Sequence, residues 1–307
     1  MVTGGAGFIG SHLVPRLLAD GHQVLVIDNL YSGRREYVPS HADFVEIDLG
    51  RADESIVFRV FRDYDPDAII HLAAIHYIPH CVANPAGTFL SNVRSTDVIA
   101  RALRGVRTKK LIAASTADIY PLVDRAHVES ETPTPNNPYG ISKFLLEEVV
   151  AGAARTNPNL SCIALRLFNV YGPGDTNPHV IPRIVERLVS PEPEIRIGAT
   201  ETTRDFVHVA DVVQAIRQTL EHDTGKYDVL NVGTGRATSI RQVLDILLAA
   251  AGDGRHVVQD KDLLRTCDRP SLTADITKIA QVLKWRPTIA IEQGLSHLMQ
   301  QVVGPSS

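Results

Sequence analysis

Three glycines near the start set the tightest limit on what this chain can build. Residues 1–3 form an apolar stub, and Gly4, Gly7 and Gly10 follow at a spacing of three, leading into a helical pattern over about 9–20. Glycine at such positions lets a turn close. It also lets backbone N–H groups reach a pyrophosphate at the helix start, with Phe8 and Ile9 carried on the same turn. A second apolar run, 23–27, ends at Asp28, about 20 residues beyond the loop, where a carboxylate bonds adenine ribose hydroxyls. That carboxylate repels a 2′-phosphate, so the expected cofactor is NAD rather than NADP. The stub is shorter than the usual central strand of about five or six residues. Residues lost upstream and a chain that begins here both remain open.

Apolar runs at 67–72, 110–114 and 162–167 read as strands of a parallel sheet covered on both faces. Helical patterns fall between them, near 88–104 and 139–155. Asn137 caps the latter and Pro138 opens its first turn. This alternation predicts an α/β fold, a Rossmann-type doubly wound parallel sheet. After Asn169 prolines and glycines gather, and the pattern changes. A helix near 211–222 and a strand near 229–232 return to the main sheet. Helices near 239–251 and 289–302 belong to a smaller, discontinuous C-terminal substrate lobe. The expected division is 1–168 plus about 206–232 for the cofactor, and about 169–205 plus 233–307 for the substrate.

The chain has 307 residues, 44% apolar and 21% charged, with a net charge of −4. It lacks the clustered Lys and Arg that nucleic-acid phosphates require. No apolar run of about 18 residues offers a membrane span. Cys81, Cys162 and Cys267 are sparse and lack metal-ligand spacing, which fits a reducing, cytoplasmic setting and no metal.

Tyr139 and Lys143 lie four apart on one predicted helix and share a face. A free phenol, with a pKa near 10, is too weak an acid to serve as a base at neutral pH. A nearby ammonium and an oxidised nicotinamide both favour the phenolate, which can take a hydroxyl proton as hydride leaves the same carbon. Ser115 and Thr116 end an apolar strand, where a hydroxyl can orient the substrate oxygen. Asp48 and Leu49 close the third strand. Asp48 reads equally as a partner of the adenine amino group and as an ordinary turn aspartate.

These residues resemble the extended short-chain dehydrogenase/reductase enzymes, specifically the NAD-dependent nucleotide-sugar epimerase/dehydratase group. The resemblance runs in family order through Asp28-Asn29-Leu30, His71-Leu72-Ala73-Ala74, Ser115-Thr-Ala-Asp-Ile-Tyr120 and Tyr139-Gly-Ile-Ser-Lys143. It continues through Arg166-Leu-Phe-Asn-Val-Tyr-Gly-Pro173, Thr203-Arg-Asp-Phe-Val-His-Val209 and Asn231-Val-Gly-Thr-Gly235, and closes over 275–287. It implies Thr116, Tyr139 and Lys143 as catalytic residues. It places Leu72, Ala73, Ala74 and Asn92 along the NAD site. Asn169, Val180 and Arg204 fall on the substrate side. Arg265 has the spacing of the second phosphate arginine, which Arg269 lacks. The resemblance further implies a homodimer through helices near 93–103 and 139–153.

Ala117 stands where the 4,6-dehydratases carry an acid. The leading expectation is therefore a 4-epimerase of a nucleoside-diphosphate hexose, most readily a UDP-sugar. Asp118 keeps a dehydratase, decarboxylase or other epimerase open, either as a shorter proton donor or as a plain strand-end acid. A non-catalytic NAD-binding sensor is the reading from another class. His71, His76 and His80 do not form a metal set.

Overall fold

The computed structural model describes residues 1–192, 194–222, 225–260 and 269–303. Among them, seven parallel strands form the central sheet: β1 (Val2–Thr3), β2 (Leu25–Asp28), β3 (Asp43–Glu46), β4 (Ala68–His71), β5 (Lys110–Thr116), β6 (Ser161–Leu167) and β7 (Tyr227–Val232). Their spatial order is β7-β6-β5-β4-β1-β2-β3. Val2 pairs with Val26 on one side and Ile70 on the other. The strand order therefore reverses at β1, and a crevice opens beyond the carboxyl ends of β1 and β4, where such sheets take ligands.

The apolar runs are buried on both faces, as a parallel sheet requires. One face packs against α1 (Phe8–Ala19) and α6 (Val209–Glu221), through Leu13, Val14, Leu17, Val212 and Ile216. The other packs against α2 (Glu54–Tyr64), α3 (Ser95–Ala102) and α4 (Pro138–Thr156), through Phe61, Val98, Ile99, Leu146 and Val150. Each fully buried aliphatic side chain contributes about 1.5–3 kcal/mol.

Helix α4 begins as its sequence indicates. Asn137 Oδ1 accepts from the Gly140 N–H at 2.9 Å, and Pro138 occupies the first turn. The single helix expected over 88–104 is instead broken. A short helix, Pro85–Phe89, runs into a π turn, Leu90–Arg94, before α3 begins.

A third apolar cluster lies outside the sheet. Helices α5 (Val180–Val189), α7 (Ile240–Ala251) and α8 (Ile291–Val303) enclose Ile184, Leu188, Val243, Leu247, Leu295 and Met299. Ser239 and Gln242 form a capping box at the start of α7, and Gly252 ends it at φ +63°. Residues 206–208 pair with 169–171, and 203–204 with 238–239, stitching this cluster to the sheet.

Candidate active site

One cleft of about 1260 Å³ runs from the glycine turn across the ends of β4 and β5 to the start of α5. Drug-sized ligands fill roughly 300–1,000 Å³, so this cleft has room for a dinucleotide and a second molecule.

The cofactor end is built from backbone. Gly4 sits at φ +72°, and a Cβ there would lie 2.5 Å from the Ala73 nitrogen, so only glycine lets β1 and the segment after β4 approach this closely. Helix α1 has neither a side-chain cap nor an acidic residue in its first turn, which leaves its N–H groups and positive dipole end for an anion. Asp28 Oδ2 accepts from the Ala6 N–H at 3.0 Å, and Oδ1 from the Leu30 N–H at 2.9 Å. The carboxylate is thus locked against the glycine turn, with lone pairs to spare. Gly4, Gly7, Phe8, Ile9, Gly10, Asp28, Asn29, Asp48, Leu49, Leu72, Ala73 and Ala74 all line the cleft. This open helix end, glycine cradle and fixed acid fit a dinucleotide.

Thr116, Tyr139 and Lys143 meet on the adjoining wall. Thr116 Oγ1 accepts from the Asp118 N–H at 3.2 Å and keeps its own proton for the neighbouring Tyr139 oxygen, whose phenol it acts on. Burial pushes the Tyr139 phenol up, the Thr116 bond pulls it back, and Asp118 and Cys81 add to the rise. Tyr139 nonetheless keeps a partly exposed face towards the cleft. Lys143 is buried and donates to the Ala114 carbonyl at 2.7 Å. Burial pushes its ammonium down to about 7, against the attraction of Glu147 and Cys81. Beneath it Glu147 forms a buried two-pronged pair with Arg166, at 3.0 and 2.8 Å, and Ser115 Oγ donates to the same carboxylate.

The far end gathers phosphate-binding chemistry. Helix α5 has no side-chain cap and no acidic residue in its first turn. Pro182 carries no N–H, so Val180 and Ile181 are the first-turn donors that face the cleft. Asn169, Arg204 and Arg269 line the same end. Arg204 donates to the carbonyls of Thr203 and Arg269, each at 2.8 Å. Arg269 is buried and donates to the Tyr120 carbonyl at 2.7 Å. Burial lowers its pKa, Asp118 opposes that, and Arg204 adds to it. Ile197 and Ala199, at the end of the strand Glu194–Ile197, close the wall.

The family model described as the NAD dependent epimerase/dehydratase family matches residues 1–233. The chain belongs to that family. It is 33% identical to the UDP-glucose 4-epimerase of Lactobacillus helveticus, over 94% of this chain and 91% of that protein. The crystal structure of the Thermotoga maritima UDP-glucose 4-epimerase with UDP-glucose superposes with a TM-score of 0.91. It is 33% identical and covers 98% of this chain and 97% of its own. The Thermus thermophilus UDP-glucose 4-epimerase in complex with NAD gives 0.88, at 32% identity and 99% coverage of both chains.

Not every expected site residue of this NAD-dependent family member reaches the cleft. Asn92 sits fully buried behind the wall. Its Oδ1 accepts from the Ile75 N–H at 2.8 Å, and its Nδ2 donates to the Ile75 carbonyl and to Ser142 Oγ, each at 2.9 Å. It pins the segment after β4 rather than lining the cofactor wall. Ser115 lines the cleft as well, but its Oγ donates to Glu147, which leaves Thr116 as the free hydroxyl beside Tyr139. Arg265 lies outside the described residues, while Arg269, set aside on spacing, does line the cleft. His76 also faces the cleft and meets His179, with ring centroids 5.3 Å apart. His179 and its partner Asp175 carry no sequence signal of their own. Only their position just before α5 distinguishes them.

Proposed function

We infer that the chain is an NAD-dependent 4-epimerase of a nucleoside-diphosphate hexose, with a UDP-sugar as substrate class. One juxtaposition carries the reading: Thr116, Tyr139 and Lys143 share a cleft with the dinucleotide wall at one end and the open start of α5 at the other. The resemblance to UDP-glucose 4-epimerases along nearly the whole chain supports it.

The Tyr139 phenolate takes the proton of the sugar C4 hydroxyl, while Thr116 holds the same oxygen. Lys143 supplies positive charge to the phenolate and keeps two further N–H bonds for ribose hydroxyls. Bound NAD⁺ supplies the hydride acceptor at C4 and, once reduced, the donor. Arg204, Asn169, Arg265 and the first turn of α5 hold the diphosphate, so the 4-keto sugar turns over without escaping. Two lobes serve these two ligands: 1–168 with about 206–232, and about 169–205 with 233–307.

Incubation with UDP-, dTDP- and GDP-hexoses, read by proton NMR, tests the reading. The expected product differs from the substrate at C4 alone. A product lacking an oxygen or a carboxyl group would instead support the dehydratase or decarboxylase reading, for which Asp118 is the acid at hand. It lines the cleft and acts on Tyr139. Asp118→Ala leaves a 4-epimerase largely active and cripples a reaction that needs an added acid. A cofactor-binding sensor has no use for the three catalytic side chains.

We further propose a homodimer. Ile141 and Leu145 lie one turn apart on α4 and stay exposed, as do Val82 and Leu90 on the short helical segments packed against it. Leu145→Glu should shift the light-scattering mass from two chains to one. Sparse thiols, with Cys81 and Cys162 free and buried, support a cytoplasmic location.

A further inference from the structure

Two segments from opposite sides of the cleft meet at a pair of imidazoles. His76 follows β4 on a segment that Asn92 pins through Ile75. His179 occupies the position just before α5 without capping it by its side chain. Their rings lie 5.3 Å apart at 50°, and both line the cleft. Lys143 acts electrostatically on His76, and His179 adjoins the N–H groups of α5. The pair therefore spans the gap between the catalytic wall and the proposed diphosphate end, where a sugar ring must sit.

We propose that His76 and His179, with Asp175 as positioning residue, form a subsite that accepts an uncharged hydroxyl of the substrate's sugar and rejects a carboxylate. The proposal rests on the nucleotide-hexose reading above.

Asp175 is fixed first. Its side chain is only 2% exposed. Oδ1 accepts from the Asn177 N–H at 3.1 Å and from Asn177 Nδ2 at 2.9 Å, and Oδ2 from His179 Nδ1 at 3.0 Å. The carboxylate thereby sets the His179 tautomer and leaves Nε2 as the nitrogen for a ligand. The neutral His76 ring carries one N–H and one lone pair, and the lone pair persists for as long as the ring is neutral.

Three groups face His76 electrostatically: His179, Asp175 and Lys143. Burial pushes the His76 imidazolium down to about 4. His179 and Lys143 add to that, and Asp175 opposes it. A sugar hydroxyl can donate to the lone pair. A carboxylate has no proton to give and meets a lone pair instead, unless the ring first takes up a proton. Rejection should therefore relax as pH falls.

The test compares kcat/KM for UDP-glucose and UDP-glucuronate between pH 5.5 and 7.5. Their ratio cancels ionisations common to both, including those of Tyr139 and Lys143. The wild type should favour the neutral sugar by about ten-fold or more at pH 7.5. That preference should shrink with falling pH, by up to about ten-fold per unit for one proton. His76→Gln presents an amide N–H without titrating, so the preference should collapse and lose its pH dependence. Asp175→Asn should raise KM for both sugars more than it lowers kcat. Calorimetric NAD binding confirms that each variant is folded. A wild-type preference for the uronate at pH 7.5, a pH-independent ratio, or a His76→Gln profile matching the wild type would overturn the subsite. Failure of the wild type to turn over either sugar, or any other nucleotide hexose, would instead remove the epimerase reading, and the subsite with it.

Discussion

The Lys143 ammonium donates to the Ala114 carbonyl at 2.7 Å from a position with almost no solvent contact. One charge-assisted bond does not replace the water it has lost, and the pKa falls to about 7. An unfolded lysine titrates near 10.4, so between about pH 7 and pH 10.4 the unfolded chain binds more protons. Lys143 therefore opposes folding most strongly below pH 7, and that opposition fades as pH rises. Lys143→Met should raise the Tm of the cofactor-free protein at pH 6, with the gain shrinking towards pH 10. Thermal denaturation across that range measures it. A gain that grows with pH would contradict the assigned shift.

Tyr139 is the proposed acceptor of the hydroxyl proton, and among the described residues the hydrogen-bonding pull on its phenol comes from Thr116. Tyr139→Phe keeps the ring and removes the base. Turnover of a UDP-hexose should fall by about a thousand-fold, within the span usual for general base removal. NAD affinity, read by calorimetry, should change by less than about three-fold, since one neutral hydrogen bond contributes little more.

Asp28 has two duties that one substitution separates. Its carboxylate fixes Ala6 and also holds the N–H of Leu30, which adopts φ +55°, a left-handed conformation unusual for leucine. Asp28→Ala should cost about 1–3 kcal/mol of stability through these orphaned donors. It should weaken NAD binding, yet weaken NADP binding less, because repulsion of the 2′-phosphate disappears with the carboxylate. Denaturant titration and calorimetry with both cofactors report the two effects. Equal losses for NAD and NADP would count against the ribose role.

The glycine turn, Asp28 and the Asn137 cap were legible because each is a local device whose whole signal lies within a few residues. Ser115 and Thr116 show where that reach ends. Neighbours on a strand point to opposite faces. The sequence places both at the end of β5 without saying which hydroxyl is taken up by Glu147, 32 residues away. Asn92 illustrates a different limit. Its stretch reads as regular helix, and the π turn around it accompanies side-chain bonds to Ile75, 17 residues away. His76 and His179 are separated by more than 100 residues, so only the folded chain brings their rings together. Arg265 and Arg269 could be ranked by spacing, but spacing does not report that Arg269 is buried against Tyr120 in the cleft wall.

Gly140 sets the distance between the two halves of the catalytic wall. A Cβ at this position would lie 2.6 Å from the Asp118 carbonyl oxygen and 3.1 Å from the Pro135 Cβ. The nearer contact is backbone within the 3-10 turn Ala117–Ile119, whose start is Thr116, so it cannot be relieved by swinging a side chain. Gly140→Ala must push α4 away from β5, and Tyr139 away from Thr116, by several tenths of an ångström. Helix propensity acts in the opposite direction, because alanine favours a helix over glycine by about 1 kcal/mol. Stability should therefore change little, while kcat drops about ten-fold or more through lost alignment. Glycine loop contacts lie elsewhere, so NAD affinity should hold. Paired measurement of kcat and chemical denaturation decides the matter: a large stability loss with kcat preserved in the folded fraction would show that the close approach serves packing rather than alignment.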